Sequence, residues 1–198
     1  AVSRSSARQS IDGMAACAVN DLYLGGKPAK IAYLFGLRLR EEAVSRIALL
    51  PRGYRQFLDI LNDEGVSCAY TTILEGNLVA RRMLEKRRAS MPVYEYAGDY
   101  EIFSLTTGGS GRLPARHRFR RAGPEDEPPL LDFLNREGRR QLFFPCLTRD
   151  ALSVARTTPS LSDFYILEDG DREIVCAGAV WDQRDYKQYI VDSYHGPY

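Results

Sequence analysis

The sequence predicts a mixed α/β (α+β) chain, a mixed sheet flanked by helices, laid out as two successive parts. Three observations carry that expectation. Segments with the two-residue alternation of strands interleave with segments that carry the i, i+3, i+4, i+7 spacing of amphipathic helices. A stretch from Thr107 to Arg116, with Gly108, Gly109, Gly111 and Pro114, has the composition of a flexible connector and separates the parts at 1–107 and 117–198. The composition, 44% hydrophobic and 27% charged over 198 residues, is that of a globular protein with one generous domain or two small ones.

In the first part, residues 1–10 are polar and serine-rich, the character of a frayed end. Gly13 to Val19 is small and apolar, as a buried strand is, and Leu24-Gly25-Gly26-Lys27-Pro28 reads as a turn. Ile31 to Leu39 is a second strand. Leu50-Pro51 opens a helix, because proline is tolerated in a first turn, and Tyr54, Phe57, Leu58 and Leu61 form its apolar face. Asn62 to Gly65 ends it, Val66 to Ile73 alternates as a strand, and Gly76-Asn77 precedes a short helix running to Lys86. Pro92 to Tyr96 and Tyr100 to Leu105, around Ala97-Gly98-Asp99, predict a β-hairpin.

In the second part, Phe119 to Ala122 is a short strand and Pro124-Glu125-Asp126-Glu127 is the acidic opening of a helix that carries Leu130, Leu131, Phe133 and Leu134. A further helix falls around Arg149 to Ala155. Phe164 to Glu168 and Glu173 to Trp181 are strands about the turn Asp169-Gly170-Asp171, and Tyr189 to Tyr194 is a last strand.

Charge excludes some function classes. With 27 basic and 26 acidic side chains the formal net charge is +1, which gives no support for general nucleic-acid or anionic-membrane binding. No apolar run approaches the roughly 20 residues of a membrane span. The four cysteines, Cys17, Cys68, Cys146 and Cys176, form no CxxC pair and read as unpaired thiols of a reducing, cytoplasmic compartment. His117 and His195 are too isolated to predict a metal site.

"YLFGLRLREEAVSRIALLPRGYRQF", from Tyr33 to Phe57, resembles the strand, loop and helix at the heart of the GCN5-related N-acetyltransferase superfamily. "CAYTTILEGNLVARRMLEK" resembles the strand and helix that follow, with Asn77 where the family has a helix-start Asn, and Pro92 to Leu105 resembles the closing strands. "FRRAGPEDEPPLLDFLNREG" and "DFYILEDGDREIVCAGAVWD" resemble the opening strand, helix and hairpin of the same fold. The resemblance therefore implies the back half of one such unit followed by the front half of another, as in an internal piece of a tandem protein. It also implies that the halves either pack together, pair with missing halves, or self-associate. The activity implied is transfer of acetyl from acetyl-coenzyme A to a primary amine, on a small-molecule or peptide acceptor, without a metal.

The resemblance carries over to particular residues. Leu37 and Leu39 stand on the strand that meets pantetheine, and the N–H of Leu37 would polarise the thioester. Ser45, Arg46, Ile47 and Ala48 stand where the pyrophosphate meets a helix start, whose unsatisfied N–H groups suit an anion. Asn77 either contacts coenzyme A or only caps its helix. Tyr33 is the one titratable group of suitable type for a base on a strand lacking Asp and Glu. Two departures matter. Val44-Ser45-Arg46-Ile47-Ala48-Leu49 has neither glycine of the Arg/Gln-x-x-Gly-x-Gly/Ala loop, and Leu84 stands where many members have an acidic Tyr. These departures keep a second reading open, a non-catalytic binding module or an inactive fragment of the same fold. Arg81-Arg82 and Lys86-Arg87-Arg88 are either a solvated helix end or an attractor for the coenzyme's 3′-phosphate.

Overall fold

In the computed structural model, which describes residues 2–5, 10–40, 46–87, 91–103, 116–153 and 159–184, the chain opens on antiparallel strands. β1 (Val2–Ser5) pairs with β2 (Ser10–Leu24), which turns through Gly25-Gly26 into β3 (Lys27–Leu39). The two glycines take φ of 57° and 78°, the double left-handed geometry of a two-residue hairpin turn. A helix, α1 (Arg46–Asp63), then leads to β4 (Cys68–Tyr70), which lies parallel to β3, and α2 (Leu78–Glu85) follows. The sheet order is β1-β2-β3-β4.

Helix α1 starts four residues before the expected Leu50, so Pro51 sits in its second turn. Past the first turn a proline loses the bond to the carbonyl four residues back, here Ile47, and its ring crowds that carbonyl, so α1 carries a local defect at Pro51. The buried stripe is Leu50, Phe57 and Leu61 with half-buried Tyr54, whereas Leu58 is exposed, a correction to the expected face. The helix ends in a Schellman cap: Val66 N–H donates to Leu61 C=O at 2.8 Å, Gly65 N–H to Asn62 C=O at 3.0 Å, and Gly65 has φ 67°.

Two strand expectations in this part are corrected. Val66 to Ile73 is strand only over Cys68–Tyr70, because the hydroxyls of Thr71 and Thr72 take up hydrogen bonds beyond it. Pro92 to Phe103 carries no strand, so the expected hairpin is absent over the described residues; Ser104 and Leu105 lie outside them. Its aromatic alternation leaves Tyr96, Tyr100, Ile102 and Phe103 exposed, and an isolated hairpin with no layer to bury one face is marginal.

In the second part, β5 (Arg118–Arg121), a 3-10 turn at Pro124–Asp126, α3 (Glu127–Gly138), α4 (Arg149–Ser153), β6 (Phe164–Glu168) and β7 (Ile174–Ala179) follow the predicted order. The sheet is antiparallel, in the order β5-β6-β7. Leu130 and Leu134 of α3, Leu152 of α4, Phe164 and Ile166 of β6 and Ala122 form one core. The expected connector (except Arg116), the end of the α4 expectation and the strand at 189–194 lie outside the described residues.

The chain thus is mixed α+β, and it divides into two compact units, Ala1–Leu22 with Lys27–Thr106, and Tyr23–Gly26 with Thr107–Tyr198. Within the second unit, Tyr23 exchanges backbone hydrogen bonds with the Phe143–Phe144 turn, its N–H donating to Phe144 C=O at 2.8 Å and its C=O accepting from Phe143 N–H at 2.9 Å. Its phenol donates to Asn135 Oδ1 at 3.1 Å. No helix among the described residues is long and apolar enough to cross a membrane.

Candidate functional site

The parallel pair β3–β4 opens like a fork. Its register is Ile31↔Cys68, Ala32↔Ala69 and Tyr33↔Tyr70, and there β4 ends while β3 runs on to Leu39. At the crotch, Thr71 Oγ1 donates to Leu34 C=O at 2.8 Å and the Thr72 and Tyr33 hydroxyls lie 2.8 Å apart. Consecutive threonine side chains thus close the fork where the backbone ladder stops.

A kink in β3 decides which groups face the opening. Successive backbone groups of a strand point to opposite edges. Ser67 N–H donates to Lys30 C=O, and Thr71 to Leu34 C=O, so even-numbered residues up to Leu34 face β4. Arg40 N–H donates to Asp12 C=O at 2.9 Å, so just past the end of β3 an even-numbered residue faces β2 instead. The alternation has slipped by one between these points. Gly36 lies there with φ 66°, the left-handed residue that marks a bulge and that only glycine adopts at low cost. The slip turns the backbone of Leu37 and Leu39 toward the edge that β4 has left.

Of the residues singled out in the sequence, Leu37 and Leu39 therefore share one open edge. The Leu37 C=O accepts from Arg38 Nη1 at 3.0 Å, and the side chain of Leu39 lies against Gly13, where an added Cβ would meet it at 2.8 Å. Tyr33 stands on the same strand, before the kink. Arg46, Ile47 and Ala48 are the first three residues of α1, whose N–H groups have no partner within the helix. Ser45 lies outside the described residues. Asn77 caps α2, its Oδ1 accepting from Ala80 N–H at 3.1 Å, while its amide nitrogen takes no part in the cap. Leu84 is buried in α2, as a packing residue. Arg81 pairs with Glu85 across one helical turn at 3.2 Å.

The structure adds residues that pattern reading passed over. Tyr70 and Phe35 each stack with Tyr33, and Thr71 and Thr72 close the crotch. A cross-strand aromatic pair is invisible until the register is known, although Tyr33 and Phe35 at i, i+2 announce one shared face. Burial pushes the Tyr70 phenol up, with Tyr33 and Tyr100 adding to the shift. On α1, the Tyr54 hydroxyl meets that of Tyr94; burial, then this hydrogen bond, pushes Tyr54 well up, and burial raises Tyr94.

In the second unit the main charged cluster is structural. Arg120 forks onto Asp126 through Nη1 and Nη2, both at 2.6 Å, and reaches Glu168 through Nε at 3.1 Å. Asp126 also accepts Gly123 N–H at 2.7 Å. The guanidinium holds both carboxyls below their usual range, and they raise its own proton affinity in return. The cluster ties β5, the opening of α3 and β6 together. Among the described residues no group of His, Cys, Asp and Glu could hold a metal ion. No protein-family model matches the sequence, and no curated protein matches it.

Proposed function

We propose that the forked edge of β3 receives an acyl-coenzyme A thioester, acetyl-coenzyme A being the expected one, for transfer to a primary amine. On this reading 1–107 is the cofactor-binding half of an acetyltransferase-like fold, and 117–198 is the front half of a second. The observation that carries the proposal is the slip at Gly36. It aims the backbone of Leu37 and Leu39 at a gap in the sheet, and the same chain segment leads to the N-terminus of α1. An extended amide-bearing arm would add to such an edge as a strand does, and a pyrophosphate would suit the partial positive charge of the helix start at Arg46 to Ala48, whose N–H groups have no partner within the helix. Helical N–H groups at the start of α1 could serve a phosphate without the family's loop glycines.

The chemistry the chain contributes is then limited and definite. The neutral amine attacks the thioester carbonyl carbon, and the Leu37 N–H donates to the oxygen as it gains charge. The carbon–sulfur bond breaks, the sulfur leaves as thiolate, and the nitrogen sheds its extra proton to solvent. Tyr33 shares its hydroxyl with Thr72 and holds a position at the crotch. With no carboxylate on β3 and Leu84 packed in α2, the chain brings orientation and an oxyanion donor rather than a strong acid or base. That same lack favours the second reading, a binding module that retains coenzyme A without turnover.

Calorimetry with coenzyme A separates a retained site from a lost one, and mass-spectrometric turnover with an amine panel separates enzyme from module. Arg46→Ala is expected to weaken coenzyme A by about 1–3 kcal/mol, the range for a charge-assisted hydrogen bond. Unchanged affinity would remove Arg46 from the site, and no binding by the parent chain would remove the site itself.

A further inference from the structure

We infer that the amine acceptor of this fork carries a planar ring, and that the ring stacks on Phe35. The words amine and acceptor rest on the acyl-transfer reading; the stacking rests on ring geometry alone. Three aromatic rings lie in sequence along the fork. Tyr70 and Tyr33 have centroids 4.9 Å apart with 25° between planes, and Tyr33 and Phe35 have centroids 5.4 Å apart with 18° between planes. Tyr33 is the ring shared by both pairs, and its hydroxyl lies beside that of Thr72. Phe35 ends the stack and is 44% exposed.

Position gives this stack a use beyond packing. Tyr33↔Tyr70 is the last backbone pair of the ladder, so Phe35 stands on the stretch of β3 that β4 no longer covers, one residue before the kink at Gly36. Two residues further on is Leu37, whose N–H would meet the reacting oxygen. Nearby apolar side chains of the same strand, Ile31 and Ala32, are fully buried, so this strand has a core and Phe35 is not part of it. Rings already held near-parallel offer a further ring the offset-stacked geometry that aromatic pairs prefer, with little side-chain freedom left to lose. A ring stacked there, with a short alkyl arm, would carry an amine into the reach of the Leu37–Leu39 edge.

The test compares two probes of like size and equal charge, 2-phenylethylamine and 2-cyclohexylethylamine, on the full chain, with coenzyme A titrated separately. The aromatic probe is expected to bind about two- to tenfold more tightly, the range for a stacked aromatic pair. That preference should vanish in Phe35→Leu, which keeps apolar bulk and loses the ring. Saturation-transfer NMR on the unmodified chain gives a second readout that needs no variant: the ring protons of 2-phenylethylamine should receive more saturation than its methylene protons. Equal binding of the two probes, or a preference that survives Phe35→Leu with its fold intact, overturns the inference even where coenzyme A binds. Ring preference lost in Phe35→Leu without coenzyme A binding upholds the stacking site and removes the acyl-transfer reading.

Discussion

The two units solve the problem of burial differently. In the second, α3 and β6 both supply apolar residues to one core, in which Leu130 and Ile166 are each at zero exposure. In the first, burial is confined to β3, α1 and single residues such as Leu84, while Leu74, Val79, Tyr96, Tyr100 and Phe103 are each at least three-quarters exposed. A unit that spends its apolar residues on a core is stabilised by them. A unit that leaves a sheet edge open and aromatic residues in solvent keeps surface for a ligand or a further strand. The contrast teaches that the candidate site lies in the less consolidated unit, as elements that bind are drawn from the less stable parts of a protein.

The largest test of that contrast is a pair of truncations. Leu130→Ala in the second unit is expected to cost about 4 kcal/mol, and Leu84→Ala in the first about 2 kcal/mol, because a tight core relaxes less around a cavity. Trp181 is the single tryptophan and lies just past β7, so its fluorescence follows the second unit in a denaturant titration, while hydrogen exchange in α2 follows the first. Equal losses would mean that the units are equally consolidated. A Leu84 variant of unchanged stability that had selectively lost turnover would show that Leu84 belongs to the chemistry.

Arg120→Ala comes next. It strands Asp126 and Glu168, both 6% exposed, without their counter-charge. The expected loss is about 3 kcal/mol, the low end for a broken buried pair, because the Arg120 side chain is itself 24% exposed. It should appear in the Trp181 transition and not in hydrogen exchange of α1. A loss below about 0.5 kcal/mol would reduce the cluster to a surface pair.

The units should also part company with pH. Asp126 and Glu168 have carboxyls held below their ordinary values, so their contribution is complete above about pH 4–5 and is lost as pH falls through the lowered folded values. Tyr54 and Tyr94 are raised, so their contribution is complete below about pH 10 and is lost as pH rises through the raised folded values. Acid should therefore weaken the second unit first, and alkali the first unit. In Tyr54→Phe the alkaline loss should shrink. Transitions that move together at both extremes would contradict the assignment.

Legibility in the sequence followed the same divide. In the second unit the strand and helix patterns have partners that bury them, so local periodicity and final structure agree over the described residues from β5 to β7. In the first, local pattern was overruled by what lay beside it. The aromatic alternation of Pro92 to Phe103 found no layer to cover it, and the strand from Val66 gave way to threonine hydroxyls at the crotch. Pro51 marked a helix start by rule, yet the helix begins five residues earlier and carries the proline inside it. At the site, Leu37 and Leu39 were reachable from resemblance alone. What turns them to the open edge is one glycine's φ, and what surrounds them is a cross-strand register; neither leaves a local signature.

The smallest expected effect separates two roles of one side chain. Asn77 Oδ1 accepts the Ala80 N–H and so caps α2, which accounts for an Asn here without any ligand. Asn77→Ala should cost about 1 kcal/mol by exposing that donor. Aspartate keeps the acceptor and adds a negative charge that the start of a helix favours, so Asn77→Asp should match the parent within about 0.5 kcal/mol. The amide nitrogen, which the cap does not use, is the atom a coenzyme carbonyl would meet, and aspartate removes it. Coenzyme A affinity is therefore expected to fall about tenfold in Asn77→Asp while stability holds, one lost hydrogen bond being worth about 1.4 kcal/mol at most in this exposed setting. Stability by denaturant titration and affinity by calorimetry, measured on the same preparation, decide it. Stability and affinity both unchanged would leave Asn77 as a cap alone and confine the site to the β3 edge and the start of α1.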